Sequence, residues 1–307
     1  GLFTEYSKNF FVDPIYSGLI NSSPYKFNEM NGCLVGAYLR KSIVKKMVKA
    51  STILKPRQMF LIWDAYRPLS VQKALFDYFV KKLVAQKGGE PADYITEAQK
   101  FVSLPPDHVK KPSPHPTGAV VDLTIIEFPQ AAWNELQTLN TKLSNCTNEK
   151  EKFEIEMRRF QLMRTQGKEL EMGTLFDEVS DKTNLYFYEE DTTDKEQRKN
   201  RRLLFNILFS VGFVGYEEEW WHFSHGDQFW GKKLGKTANF GAAKWNAECE
   251  KHERMMQQVM LGMIRITEGV HSGSKLQAKH LLYDFVKEVA LKTGDVRETN
   301  HQKAASL

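Results

Sequence analysis

An α+β fold is predicted by three strand-like stretches set among longer helical ones. Met59 to Trp63 and Ala119 to Ile125 are short, aliphatic and β-branched, the pattern of buried strands. Glu219 to His222 is a third candidate strand, following the apolar run Leu203 to Val211 and a Gly-Phe-Val-Gly-Tyr break. The chain has 307 residues, enough for one large core or two small ones. Its 41% hydrophobic content places it among globular rather than disordered chains.

In order, residues 1–35 are aromatic and broken by Pro14, Pro24 and Asn31-Gly32. Leu39, Ile43, Val44, Met47 and Val48 form a helical stripe within Tyr38 to Leu54, which Pro56 ends. After the strand to Trp63, Ser70 is read as the N-cap of a helix striped by Val71, Ala74, Leu75, Tyr78 and Phe79, and Gly88-Gly89 closes it. Pro91 to Pro112 reads as a loop. Trp133, Leu136, Leu139 and Leu143 make one later helical stripe; Phe153, Met157 and Phe160 make another. Leu185 to Tyr188 fits a strand or a wedge of aromatics, and Lys195 to Val211 a helix whose basic start, Lys195 to Arg202, reads as a solvated face rather than a nucleic-acid patch. Residues 246–307 add two further stripes, Met255 to Ile264 and Leu281 to Val289, with a disordered tail.

The chemistry concentrates at three places. Asp122 sits inside an apolar run, where a carboxylate is costly without a cation or several donors, and His115 lies just before it. His222 would complete a set of three nitrogen and oxygen ligands, the pattern of a hydrolytic zinc centre with an open position. Glu219 is left as the unligated carboxylate that takes a proton from water. On a flat strand residues 219 and 222 would point to opposite faces, so this reading requires a twist, bulge or strand end there. Arg67, at a strand-to-helix corner before Pro68, could place its cationic fork toward an oxyanion. His225 is a competing but less favoured ligand, and Trp220 and Trp221 are read as core and pocket walls.

Five segments carry a resemblance: Trp63-Asp-Ala-Tyr-Arg-Pro68, Ser113-Pro-His-Pro-Thr-Gly-Ala-Val-Val-Asp122, Met172-Gly-Thr-Leu-Phe-Asp177, Asn200-Arg-Arg-Leu-Leu204 and Glu219-Trp-Trp-His-Phe-Ser-His-Gly-Asp-Gln228. Together they resemble the D-alanyl-D-alanine dipeptidase family, among the zinc DD-peptidases related to the hedgehog fold. The resemblance implies a central, mostly antiparallel sheet flanked by helices. It implies one zinc per chain on His115, Asp122 and His222, Glu219 as general base, and Arg67 assisting the transition state. Ser113 and Asp177 match positions that hold the substrate's amino end. The expected activity is hydrolysis of D-Ala-D-Ala or a similar small dipeptide. A peptidoglycan carboxypeptidase or endopeptidase of the same group, and a non-catalytic zinc module, are the alternatives.

The family normally passes from the Asp strand to its Met-Gly-Thr element in a short hairpin. Here residues 127–166 intervene, read as a helical insertion at a hairpin tip, where loops accept added length cheaply. The expected layout is a dipeptidase domain over 1–245 and a helical extension over 246–307 packed on it.

Cys33, Cys146 and Cys249 are scattered, which excludes a disulfide scaffold and a cysteine-type zinc site. No run approaches the roughly 18 apolar residues of a membrane span. The chain opens Gly1-Leu-Phe without Met, as a trimmed signal peptide would leave it, so a periplasmic or secreted location is expected, with a cytoplasmic one as the alternative.

Overall fold

Seven of the eight residues Val120–Glu127 are buried. A strand this apolar on both faces can satisfy its backbone only at the centre of a covered sheet. The computed structural model describes residues 7–18, 23, 25, 30, 32–99, 102, 113–190, 193, 195–254 and 256–257. The elements in order are β1 (Phe10–Val12), α1 (Lys41–Ser51), β2 (Gln58–Asp64), α2 (Leu69–Lys87), α3 (Ile95–Ala98), β3 (Val120–Glu127), α4 (Gln130–Asn145), α5 (Glu149–Gln166), β4 (Lys168–Glu169), α6 (Phe187–Glu190), α7 (Lys195–Ser210), β5 (Val214–Gly215), β6 (His222–Ser224) and α8 (Gln228–Leu234).

The strands form a six-stranded sheet in the order β1-β2-β3-β6-β5, with β4 also on β3. All pairings are antiparallel except β1 with β2. One edge of β3 is taken by β2. Along the other edge, β6 pairs with Val120 to Asp122 and β4 with Ile126 and Glu127. The expected α+β class with a mostly antiparallel sheet is what the chain adopts.

Several local expectations need correction. Ser70 is not a cap: α2 starts at Leu69, with Pro68 before it and no side-chain cap bond. The fixed φ of Pro68 is already suited to a helix entrance, and its carbonyl accepts from Val71 N and Gln72 N, so the turn needs no serine. Of the two readings of Leu185 to Tyr188 the strand is excluded, since Phe187–Glu190 is a helical turn, while Leu185 and Tyr188 are buried. The described part of the loop from Pro91 contains a 3-10 turn at Pro91–Tyr94 and then α3. Gly88 does close α2, its amide bonded to Val84 O.

The chain divides into two compact units. One spans Glu5–Glu127 and Lys168–Trp245 and holds the whole sheet. The other contains Phe128–Gly167 and the chain from Asn246. In it α4 and α5 form a helical pair that buries Ala132, Leu136, Ile155, Met157, Phe160, Leu162 and Met163. Asn148 caps α5, its side chain accepting from Glu151 N. Glu127 pairs directly with Lys168, so this helical pair interrupts a hairpin at its tip. Residues 247–254 are helical and Met256 is buried. The remainder of the Met stripe, the Leu281 to Val289 stripe and the tail lie outside the described residues. Among the described residues no helix is long and apolar enough to cross a membrane.

Candidate metal centre

The sheet register assembles the centre. Asp122 on β3 is paired with Asp64 on β2 to one side and His222 on β6 to the other. Residues paired across strands present their side chains on the same face, so three polar groups share one row. A register shift between Ile62 and Asp64 brings Asp64 into that row. Bulges of this kind re-aim side chains next to functional sites.

His115 reaches the row from a 3-10 turn, His115–Thr117, that precedes β3. Gly118 follows at φ 66, a left-handed conformation that a β-carbon would strain. His115 Nδ1 lies 2.8 Å from Ala65 O and 3.1 Å from Asp64 Oδ2, while Nε2 is 3.3 Å from Asp122 Oδ2. The two oxygens on Nδ1 hold its proton there and leave Nε2 as the lone-pair donor, the usual outer-shell arrangement of a ligating histidine.

Glu219 lies in the turn before β6, and His222 is the first residue of that strand. The turn closes with His222 N donating to Glu219 O. Strand alternation therefore does not govern this pair, and Glu219 Oε2 comes within 3.4 Å of His222 Nδ1. His222 Nδ1 is also 3.1 Å from Asp122 Oδ1.

Ligand atoms of His115, Asp122 and His222 all lie within 4.8 Å of one another. The three residues are 4%, 1% and 6% exposed, whereas the Glu219 side chain is 28% exposed. Burial alone would raise the Asp122 carboxyl, yet His115 and His222 hold it well below the usual carboxylate range. Burial likewise opposes charge on His222, but Asp122 and Glu219 push the imidazole up to about 10. Two carboxylates thus create a field that favours positive charge between them. Asp122 Oδ1 is buried and, although His222 Nδ1 lies 3.1 Å away, it has no well-aligned hydrogen bond among the described residues. A buried carboxylate converging with two imidazoles is a donor set that fits a metal ion of the zinc type.

Arg67 is buried and fully engaged. Nε donates to Asp64 Oδ2 at 2.8 Å, Nη1 to Gln72 Oε1 at 2.9 Å and Nη2 to Tyr16 OH at 3.1 Å. Nη2 is also 3.5 Å from Asp122 Oδ2, and the guanidinium lies 4.6 Å from the Tyr16 ring centroid. Burial disfavours its charge, but Tyr16, Asp64 and Asp122 outweigh that and raise its pKa.

Tyr16 continues the chain outward, donating to Asp177 Oδ2 at 3.0 Å; Tyr25 donates to the same oxygen at 2.8 Å. Asp177 adopts φ 55, a conformation rare for a residue with a β-carbon. Its carboxyl is pushed up to about 7, chiefly by burial, with Glu219 and Asp122 adding to the shift and Arg67 opposing it. Ser113 is buried, and among the described residues its Oγ has no hydrogen-bond partner. Trp63, Phe176 and Trp221 form an aromatic wall, with centroids 4.8 Å apart for Trp63 and Phe176 and 5.2 Å for Phe176 and Trp221.

Tyr16 and Tyr25 are absent from any sequence reading of the site. They stand in an N-terminal aromatic segment without a motif, and only the fold brings them to Asp177. His225 is not in the cluster: its Nδ1 is 2.6 Å from Gly212 O. Trp220 and Trp221 are buried, as walls and core should be.

Comparison with known proteins gives the class first. A family model described as D-ala-D-ala dipeptidase matches residues 155–239, which include Asp177, Glu219 and His222, so the chain is similar to a group of peptidases. The chain is 27% identical over 212 residues to a D-alanyl-D-alanine dipeptidase of Synechocystis, covering 62% of this chain and 70% of that protein. A D-alanyl-D-alanine dipeptidase of Enterococcus faecium is 21% identical over 221 residues, covering 69% of this chain and 89% of that protein. One from Escherichia coli is 39% identical over 57 residues, covering 19% of this chain and 28% of that protein. The resemblance to the D-alanyl-D-alanine dipeptidase family carried by the motifs is thus shown.

Proposed function

We propose that this chain hydrolyses D-Ala-D-Ala, or a similarly small free dipeptide, at a single zinc site. His115, Asp122 and His222 would hold the ion. The observation that carries the reading is the combination of that buried trio with a partly exposed Glu219 beside it and Asp177 behind it. When bound, zinc supplies Lewis-acid polarisation of the scissile carbonyl and lowers the pKa of water.

The chain's own groups account for the other steps. Glu219 is not needed as a ligand, faces the cluster and is open enough to meet solvent, so it takes the proton from the attacking water and returns it to the leaving amine. Arg67 Nη2, aimed past Tyr16 toward Asp122, adds fixed positive charge where the carbonyl oxygen becomes anionic. The Tyr16 hydroxyl links that guanidinium to Asp177, so the oxyanion end and the ammonium end of the site are braced together. Asp177 and the unsatisfied Ser113 Oγ receive the substrate ammonium. An N-acylated substrate brings no charge to Asp177 and leaves buried polar groups unmatched, a mismatch that discriminates strongly.

Hydrolysis of free D-Ala-D-Ala, its N-acetyl form and an intact muropeptide tests this. Much faster turnover of the free dipeptide is expected. Equal or faster cleavage of the longer substrates would replace the dipeptidase reading with a carboxypeptidase one, and zinc binding without any hydrolysis would replace it with a binding module.

A further inference from the structure

The basic start of α7 reads from sequence as a solvated face, and Arg202 conforms: it is exposed and pairs with Glu189. Arg201 does not. One residue along a helix turns a side chain by about 100°, and Arg201 is only 3% exposed. Its Nε donates to Met172 O at 2.8 Å, Nη1 to Asn184 O at 2.6 Å and Nη2 to Lys182 O at 2.7 Å. The guanidinium lies 4.7 Å from the Tyr188 ring centroid. The adjacent Asn200 donates to Glu171 O at 2.9 Å. Among the described residues no carboxylate stands within ion-pair distance of Arg201. A buried cation answered by carbonyls and aromatic rings rather than by a carboxylate carries a desolvation cost that an apolar residue would avoid, so what it contributes is geometry.

Those carbonyls bracket the segment 172–184, which carries Phe176 and Asp177. The same segment receives the stretch that carries Glu219. Trp220 N donates to Thr183 O at 3.0 Å and Leu185 N to Glu217 O at 2.8 Å. Trp220 Nε1 donates to Thr174 Oγ1 at 2.8 Å. Arg201 therefore holds the backbone on either side of Thr183, where the two functional stretches meet.

We propose that Arg201 is a positioning residue: it fixes the separation between Asp177 and Glu219 and so the length of substrate the cleft accepts. What those two carboxylates do rests on the dipeptidase reading; that Arg201 holds them apart does not. Nothing in the Asn200 to Leu204 motif as a sequence assigns this task, because the carbonyls that Asn200 and Arg201 bind are brought to them only by the fold.

Amide hydrogen exchange of Arg201→Lys, taken beside steady-state kinetics, tests the proposal. Lysine keeps the charge and the stem but cannot span three carbonyls. The amides of Leu185 and Trp220 should exchange at least about tenfold faster while those of β2 and β3 keep their protection. Zinc content should be unchanged, KM for the free dipeptide should rise roughly 10–100-fold, and the preference over the N-acetyl form should shrink. Arg202→Gln should leave all of these as they are. Native protection at Leu185 and Trp220 in a folded Arg201→Lys would overturn the proposal. If that variant does not fold, Asn200→Ala, which removes only the bond to Glu171 O, is read for the same amides; a smaller loss in the same direction supports the proposal and no loss overturns it. Loosened amides in a protein that hydrolyses no dipeptide would sink the substrate reading and leave the positioning role standing.

Discussion

His222 begins its strand directly opposite Asp122, and the pairing sets His222 Nδ1 3.1 Å from Asp122 Oδ1. A register slip of one residue would send the histidine to the other face of the sheet. The candidate metal centre is thus a property of the β3–β6 ladder as much as of its side chains. Metal analysis should find one zinc per chain, with His115→Ala, Asp122→Asn and His222→Ala each losing it. A chain purified gently without zinc, or a variant that retains full occupancy, would refute the ligand set.

Glu219 stands beside the cluster without being required in it. Glu219→Ala should keep the fold and the zinc and lose roughly 10²–10⁴-fold in turnover. A metal-loaded variant with near-native kcat would assign the base elsewhere.

Arg67 has a double role. Removing it leaves the buried Asp122 and the half-buried Asp64 without their cation, so Arg67→Ala should lower folding stability by about 3–5 kcal/mol in urea denaturation. Arg67→Lys keeps a charge but loses the fork that spans Asp64, Gln72 and Tyr16; kcat should fall on the order of 10²–10³-fold. Unchanged turnover would make Arg67 a brace only.

Asp177 gives the pH dependence. Its carboxyl titrates at about 7 in the fold, against about 3.9 in an unfolded chain. The unfolded state therefore releases this proton first, and the group's contribution to stability, full below about 4, is lost as pH rises through 7. Substrate binding runs the opposite way, because only the ionised carboxylate attracts an ammonium. KM for a free dipeptide should fall as pH rises through 7, and Asp177→Asn should abolish that slope. A variant with the native pH profile of KM would exclude Asp177 from the ammonium site.

Glu127 and Lys168 are paired residues, so a two-residue Asn-Gly turn can join them in place of Phe128–Gly167. A chain so shortened, and ending at Trp245, should remain folded and bind zinc. A soluble, folded product that binds none would show that the helical unit is needed by the centre.

By itself the sequence located the two central strands and the helices with strong stripes, and it offered the candidate ligand types. A carboxylate in an aliphatic run, or a glutamate three residues before a histidine, carries its chemistry in the residues themselves. The helical pair between Glu127 and Lys168 was legible for the same reason, since its periodicity is local. Tertiary structure decided what depends on distance. Pairing across three strands put Asp64, Asp122 and His222 in one row, and a turn rather than a strand turned Glu219 toward them. Tyr16 and Tyr25 lie far from Asp177 in the chain and meet it only in the fold, where both hydroxyls donate to the same carboxylate oxygen. Arg201 and Arg202 are neighbours of identical chemistry, and the hydrophobic effect alone, by choosing which face of α7 is buried, made one a surface charge and the other a clamp.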